Sequence, residues 1–223
     1  MISAELIRSW LPDLALGASQ TIKMAVLAYL LGAVIGLTIA LAEGAGKRWL
    51  YRACRIYIEF IRGTPTLTQL FLIYFGLASL NVVVPGFQAA VIALGLHYAA
   101  YMAEVYRSGI AAIDRGQSEA AAALGLRRTQ AMRLVVLPQA IRIILPPMTN
   151  FAISLLKDTS VASLIAAPEL MMHATDITSE YYMPMPVYLI TGAIYFIMAY
   201  PLSLLVAYFE RRTGQSRLRS DLV

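Results

Sequence analysis

Between two long uncharged segments the chain reads Glu119-Ala-Ala-Ala-Ala-Leu-Gly125, followed shortly by Val135-Val-Leu-Pro138. The residues in and around this stretch are charged or are strong helix formers. A membrane protein needs only a short turn to connect two spans, so a polar, helix-forming segment at this point is expected to do more than join them. That expectation depends on whether the flanking segments really cross a membrane.

Composition and the spacing of charges place the chain in a membrane. Of its 223 residues, 59% are hydrophobic and 14% are charged, which is too apolar for an ordinary soluble domain. A membrane span needs about 20 mostly apolar residues. Four uncharged runs approach or exceed that length, and they cover residues 24–42, 63–103, 143–156 and 181–209.

Two of these runs have to be interpreted before the spans can be counted. The second is long enough for two spans, and Asn81-Val-Val-Val-Pro85-Gly86 supplies the turn between them. The third reaches spanning length only by extending to residue 167, with Lys157 and Asp158 inside it. The sequence therefore predicts an all-α integral membrane protein with an interfacial segment at 1–18 and a cytoplasmic tail at 211–223. Its five transmembrane helices are predicted at roughly 19–42, 60–80, 87–112, 138–167 and 184–209.

Basic residues set the expected orientation. Most of the 18 Lys and Arg residues fall between spans one and two, between or beside spans three and four, or after span five. The segment after span four instead carries Glu169, Asp176 and Glu180 without a basic residue. Cytoplasmic segments collect Lys and Arg, so the N-terminus is predicted outside and the C-terminus inside. The net charge of +5 then reflects topology and requires no nucleic-acid partner.

The sequence offers no catalytic, cofactor-binding or metal-binding motif. Gly44-Ala45-Gly46-Lys47 looks like a fragment of a phosphate-binding loop, but Leu41 stands where the first Gly should be. Cys54 is alone, and His97 and His173 are far apart with no carboxylate at ligand spacing. The chain is therefore expected to be no enzyme and to bind neither ATP nor a metal itself.

The polar stretch resembles the signature of permease subunits of ATP-binding-cassette importers, which is Glu-Ala-Ala, then Gly, then Leu-Pro. The matching residues are Glu119, Ala120, Ala121, Gly125, Leu137 and Pro138. The resemblance implies a cytoplasmic coupling loop, about residues 114–136, whose two short helices dock into a groove on a separate ATPase subunit. Gly125 is expected to permit the turn between them. Glu119 is expected near the start of its helix, where a carboxylate suits the helix dipole.

Further motifs are similar to the polar amino-acid branch of that family, of the cystine, histidine and glutamine type. They are Arg62-Gly-Thr-Pro65, Ala99-Ala-Tyr-Met-Ala-Glu104-Val-Tyr-Arg107, Lys157-Asp-Thr-Ser160 and Pro168-Glu-Leu170. The resemblance implies the type I importer permease fold, located in the bacterial inner membrane and moving a polar amino acid inward by alternating access. It also implies two ATPase subunits that use ATP and Mg²⁺, a second permease subunit, identical or different, and an extracytoplasmic solute-binding protein.

Charges at membrane depth are costly and usually face a cavity, which draws attention to Lys157 and Asp158. Adjacent residues on a helix point about 100° apart, so these two cannot be hidden by pairing with each other. Together with Thr159 and Ser160 they are candidates for the substrate pathway, because an amino acid presents both an ammonium and a carboxylate group. The alternative is a structural salt bridge near the outer headgroups.

Arg62 and Glu104 form a second candidate pair, since both are expected near the cytoplasmic ends of their spans. Pairing of Glu104 with Arg107 on its own helix is the alternative. Tyr98 and Tyr101 are candidates to line the pathway, with hydrogen-bonded packing as their alternative. A different class of function also stays open at this point: a secondary transporter or channel acting alone, which needs no structured inner loop.

Overall fold

The computed structural model describes residues 4–213, and every regular element in that range is helical. The tail predicted at 211–223 lies almost wholly outside the described residues. In chain order the α-helices are α1 (Ala4–Glu43), α2 (Arg48–Arg62), α3 (Thr66–Ser79), α4 (Gly86–Ala111), α5 (Arg115–Ala123), α6 (Arg128–Ala131), α7 (Leu137–Asp158), α8 (Leu170–Tyr181) and α9 (Pro184–Thr213). A π-helical segment, Met132–Val136, joins α6 to α7, and a 3-10 segment, Thr159–Ile165, follows α7.

Within the described range, four helical runs are long and apolar enough to cross a membrane. They are Glu5–Glu43, Gly86–Ala111, Arg128–Ile165 and Pro184–Arg211. The span predicted at 60–80 differs from them, because the helix breaks at residues 63–65 and α3 is only 14 residues long. Proline has no N–H and disfavours helical backbone at the residue before it, so Pro65 separates α2 from α3.

The segment predicted at 1–18 is continuous with the first span, because α1 runs unbroken to Glu43. Trp10 and Leu14 are buried among side chains of α8 and α9. Leu11 and Leu16, in contrast, are about half exposed. This first part of α1 is therefore both a packing element and an exposed apolar surface.

Small residues bring α1 and α4 into close contact. A Cβ on Gly36 would stand 2.8 Å from the Ala99 carbonyl oxygen, and a Cβ on Gly32 would stand 3.0 Å from that of Gly95. This i, i+4 pair of glycines is the arrangement that lets membrane helices approach closely. The contacts advance in the same direction along both helices, so α1 and α4 run parallel. The chain must return between them, and α2 and α3 carry it back.

A buried carboxylate joins α1, α8 and α9. Glu169 caps α8 by accepting a hydrogen bond from the Met172 N–H at 2.8 Å. It also accepts the hydroxyl hydrogens of Tyr195 at 2.7 Å and Thr21 at 3.4 Å. Burial raises the pKa of this carboxyl group. Because donors from all three helices converge on it, the buried group is satisfied and fixes their mutual positions.

The coupling segment contains two short helices, α5 and α6, as predicted, but the second is not separate from the next span. α5 is followed by a turn at Gly125, whose φ is +78°. Beyond the turn, α6, the π-helical segment and α7 form one uninterrupted helical run, Arg128–Ile165. The expected second helix is therefore the beginning of the next span, and the prediction was wrong in this respect. The π-helical turn immediately before Pro138 accommodates a residue without an N–H inside the run.

Candidate functional site

The centre of the candidate site is a hydrogen bond between two spans. The Tyr98 hydroxyl on α4 donates to Oδ2 of Asp158 at the end of α7, with an oxygen–oxygen distance of 2.7 Å. Tyr98 is buried and Asp158 is half-buried, whereas the neighbouring Lys157 is exposed. The carboxylate is thus held by a tyrosine on another helix and leaves part of its surface open to a ligand.

Aromatic rings surround this hydrogen bond. The Phe151 ring on α7 lies with its centroid 5.9 Å from that of Tyr98 and 6.0 Å from that of Tyr101. The Arg62 guanidinium carbon lies 5.6 Å from the Tyr101 ring centroid, within the distance of a cation–π contact. Four predicted pathway residues, Arg62, Tyr98, Tyr101 and Asp158, are therefore connected through one ring cluster. Phe151 was not predicted, although it lies seven residues before Asp158 and so on the same face of the helix.

Thr159 and Ser160 are less free than the sequence suggested. The Thr159 hydroxyl donates to the Leu156 carbonyl and the Ser160 hydroxyl donates to the Lys157 carbonyl, both at 2.8 Å. Hydroxyl groups that donate to the main chain can still accept through their lone pairs. Thr159 is fully buried, so Ser160 is the more accessible of the two.

The predicted contact between Arg62 and Glu104 is wrong. In the described part of the chain, Glu104 is bound by Arg55 of α2 and by Arg107 of its own helix, the latter at 2.6 Å. The helix-local alternative is thus present, together with an interhelical pair. The geometry of the crossing explains the difference, because Arg55 lies beside Glu104 and Arg62, two turns further along α2, reaches Tyr101 instead. The buried carboxylate of Glu43, at the end of α1, lies 3.9 Å from Arg107.

A buried polar network supports the break between α2 and α3. The Gln69 amide donates to the Ile61 carbonyl at 2.7 Å and to the Thr64 carbonyl at 3.2 Å. Its amide oxygen then has to accept from Nδ1 of His97, 3.0 Å away. The other ring nitrogen, Nε2, accepts from the Thr66 hydroxyl at 3.2 Å. Gln69 therefore binds the carbonyl groups that the helix break leaves open, and His97 orients the Gln69 amide, so the network holds the end of α2 beside the ring cluster.

The coupling segment presents an ordered and exposed surface. Asp114 caps α5 through the Gly116 N–H at 2.7 Å, and the helix ends in a Schellman turn in which Leu126 N–H binds the Ala121 carbonyl. The positive φ of Gly125 is what this turn requires. Ala121 is buried, whereas Glu119, Ala120 and Leu124 are exposed.

Glu119 itself occupies a different position from the one expected. It lies in the middle of α5 rather than near its start, and Asp114 fills the capping position instead. The exposed Glu119 carboxylate remains free to meet a cation on a partner. No group of three His, Cys, Asp or Glu side chains that could hold a metal ion occurs in residues 4–213.

Comparison with known proteins identifies the family of the chain. Residues 32–215 match the family described as binding-protein-dependent transport system inner membrane component. The probable amino-acid ABC transporter permease protein YckA of Bacillus subtilis is 40% identical over 184 residues, covering 82% of this chain and 81% of that protein. The L-cystine transport system permease protein TcyB of the same species is 37% identical over 206 residues, covering 92% and 88%. A crystal structure of an amino acid ABC transporter with histidines superposes with a TM-score of 0.89 at 40% identity, covering 95% of this chain and 99% of that one.

These likenesses confirm the predicted family and its type I importer fold. They also favour a translocation subunit, working with a separate ATPase, over the stand-alone transporter or channel that the sequence left open. The chain therefore belongs to the binding-protein-dependent transport system inner membrane components, and it is a multi-pass permease subunit of an amino-acid ABC transporter.

Proposed function

We propose that this permease subunit moves a polar amino acid into the cytoplasm by alternating access, and that Asp158 lies on the route. The proposed complex contains two ATPase subunits, which bind the ATP and Mg²⁺, and a second permease subunit. An extracytoplasmic solute-binding protein delivers the substrate. In the proposed orientation the N-terminus is outside and the loop carrying α5 is cytoplasmic, as the distribution of basic residues indicates.

The observation that carries this proposal is the carboxylate of Asp158 held by Tyr98 inside a ring cluster. A carboxylate at membrane depth is costly unless it faces protein partners or a cavity. Aromatic faces also attract cations. A carboxylate beside aromatic rings therefore suits the ammonium group that every amino acid carries, and the half-buried Asp158 has surface left to receive it.

The fold supplies a direct mechanical link from the coupling segment to this site. The helical run that carries Asp158 begins at Arg128, immediately after the α5 turn. The helix that carries Tyr98 ends at Ala111, just before α5. Both partners of the central hydrogen bond thus lie on helices that flank the segment on which an ATPase is proposed to act. Movement of α5 on ATP binding changes the relative position of these helices and with it the access to Asp158.

Reconstitution tests the proposal directly. The permease is purified with its co-expressed ATPase, placed in liposomes and supplied with a solute-binding protein and a panel of radiolabelled polar amino acids. ATP-dependent uptake of one or a few of them is expected. Uptake that needs no ATPase and follows an ion gradient would refute the proposed energy coupling.

The variant Glu119→Lys tests the docking surface separately. It reverses an exposed charge in the middle of α5 and leaves the spans unchanged. We expect normal membrane insertion, with less ATPase in the purified complex and lower uptake. Normal uptake and a normal amount of ATPase would show that α5 does not contact the partner through Glu119.

A further inference from the structure

Helix α2 has three distinct faces. Within each face the residues recur every three or four positions, which is the spacing of one side of an α-helix. The charged face consists of Arg48, Arg52, Arg55, Glu59 and Arg62. The apolar face consists of Trp49, Ala53, Ile56 and Phe60. The packed face consists of Cys54, Ile58 and Ile61. At about 100° per residue the centres of these faces lie about 120° apart around the helix, so each meets a different environment.

The environments of two faces follow from burial. On the packed face, Ile58 and Ile61 are in contact with α4. The apolar face is open, with Trp49 exposed to 68%, Ile56 to 71% and Phe60 to 58%. In a membrane protein such a stripe of large apolar side chains suits lipid. The charged face, about 120° away from both, must then meet either water or another polar surface, because charges do not face hydrocarbon.

The charged face extends from the membrane surface toward the interior. Arg55 pairs with Glu104, which lies about 27 Å along α4 from Gly86 at 1.5 Å per residue. A hydrocarbon core is about 30 Å thick, so this pair is near its cytoplasmic boundary in the proposed orientation. Arg62, two turns further along α2, contacts Tyr101, which lies about 5 Å closer than Glu104 to the start of α4. Arg48 lies about 10 Å from Arg55 in the opposite direction along α2.

This face is continuous with the candidate site. Arg62 is its innermost member and contacts the Tyr101 ring, and that ring is in contact with Phe151. Within the described residues, Arg55 is engaged by Glu59 and Glu104, while Arg48, Arg52 and Arg62 form no ion pair. The face therefore offers one unpaired guanidinium group beside the ring cluster, Arg62, and two more toward the cytoplasm, Arg52 and Arg48, on either side of the paired Arg55.

We propose that the charged face of α2 lines the cytoplasmic half of the substrate route and that its unpaired arginines bind the carboxylate group of the amino acid as it leaves. This inference rests on the proposed function, in which Asp158 receives the ammonium group. Arginine binds carboxylate through two parallel hydrogen bonds. A substrate with one positive and one negative end thus meets an acidic group at Asp158 and basic groups on α2.

The test compares neighbouring positions on different faces in the assembled complex. Cysteines are introduced as Glu59→Cys and Phe60→Cys, and as Arg52→Cys and Ala53→Cys, in a Cys54→Ala background whose uptake is checked first. Membrane vesicles with the cytoplasmic side outward are treated with anionic or cationic methanethiosulfonates of similar size, each normalised to its rate with a free thiol.

We expect Glu59→Cys to react and its neighbour Phe60→Cys to be protected by lipid, whereas Arg52→Cys and Ala53→Cys, on the cytoplasmic side of Arg55, should both react and serve as the accessible reference. At Glu59→Cys the anionic reagent should react about tenfold faster than the cationic one, the lower end of the focusing produced by a basic cleft. The transported amino acid should slow this reaction. Replacing Arg62 in the same protein, as Arg62→Gln, should reduce both the preference for the anionic reagent and the protection.

Equal reaction of Glu59→Cys and Phe60→Cys, or a preference for the cationic reagent at Glu59→Cys, would overturn the proposal. So would slowing by phosphatidylglycerol vesicles but not by amino acid, which would assign the arginines to lipid headgroups. Uptake by the same vesicles separates the two proposals. Absence of ATP-driven uptake in the unmodified complex refutes the proposed function, whereas normal uptake with equal labelling of Glu59→Cys and Phe60→Cys refutes only the role of α2.

Discussion

The most demanding prediction concerns the hydrogen bond between Tyr98 and Asp158. Asp158→Asn keeps the size of the side chain and an acceptor oxygen but removes the charge that is proposed to bind the ammonium group. A hydrogen bond to a charged partner contributes about 1.5–3 kcal/mol. At about 1.4 kcal/mol per decade, apparent affinity for the amino acid should fall by about tenfold or more.

Tyr98→Phe is the matched perturbation of the other partner. It removes only the hydroxyl group that stands 2.7 Å from Asp158 and keeps the ring contacts with Phe151 and Tyr101. The carboxylate stays charged but is no longer held, so we expect a smaller loss of affinity than in Asp158→Asn. If the hydroxyl acts through Asp158, the double variant should resemble Asp158→Asn rather than show additive losses.

The assay measures concentration-dependent uptake in proteoliposomes, alongside complex yield and basal ATP hydrolysis. A structural salt bridge predicts poor assembly of Asp158→Asn and partial rescue by Lys157→Gln. The exposed Lys157 forms no ion pair with Asp158 among the described residues, so no rescue is expected. Unchanged affinity in a well-assembled Asp158→Asn complex would remove this residue from the route, and additive losses in the double variant would show that Tyr98 acts elsewhere.

Three further predictions test the coupling turn, the topology and the packing. Gly125→Val places a β-branched residue at φ +78°, a backbone state that costs an L-residue about 1–2 kcal/mol; purified complexes should contain less ATPase, and an unchanged ATPase content and uptake would argue against the turn's role. Single cysteines at 82–86 should react with an impermeant reagent from outside, and those at 126–130 only after permeabilisation; the reverse pattern would invert the orientation. Gly36→Val should lower the melting temperature by roughly 5 °C, since overpacking costs about 1–3 kcal/mol, because its Cβ meets a carbonyl of α4 at 2.8 Å. Gly76→Ala, with nothing within 4 Å of the added carbon, is the control that should show no such loss.

Much of the helical framework was predictable because a membrane span is visible in the local sequence as an uncharged run of sufficient length. The spans predicted at 19–42 and 184–209 lie inside α1 and α9 as expected. The span at 60–80 was less well predicted. Residues 63–65 carry no charge, so hydrophobicity alone does not reveal the break between α2 and α3. Pro65 is the residue in the sequence that marks this break.

The partners of charged groups were harder to predict, because they depend on how two helices cross. Asp158 and Tyr98 were both identified, but their contact requires the register between α4 and α7. The same limitation explains why Glu104 was paired with Arg62 rather than with Arg55. Within one helix the inference is more secure, and the i, i+7 spacing of Phe151 and Asp158 could have placed the ring beside the carboxylate.

The central claim, that α5 is the surface on which a separate ATPase acts, can be tested by site-specific photo-crosslinking. A benzoylphenylalanine is incorporated at Leu124, which ends α5 and is 82% exposed, or at Val83, which is 84% exposed in the turn between α3 and α4. The two positions are equally accessible but are proposed to lie on opposite sides of the membrane. Illumination of the assembled complex should link the ATPase subunit to position 124 and not to position 83. A crosslink to the ATPase at position 83, or none at position 124 in an actively transporting complex, would contradict the claim.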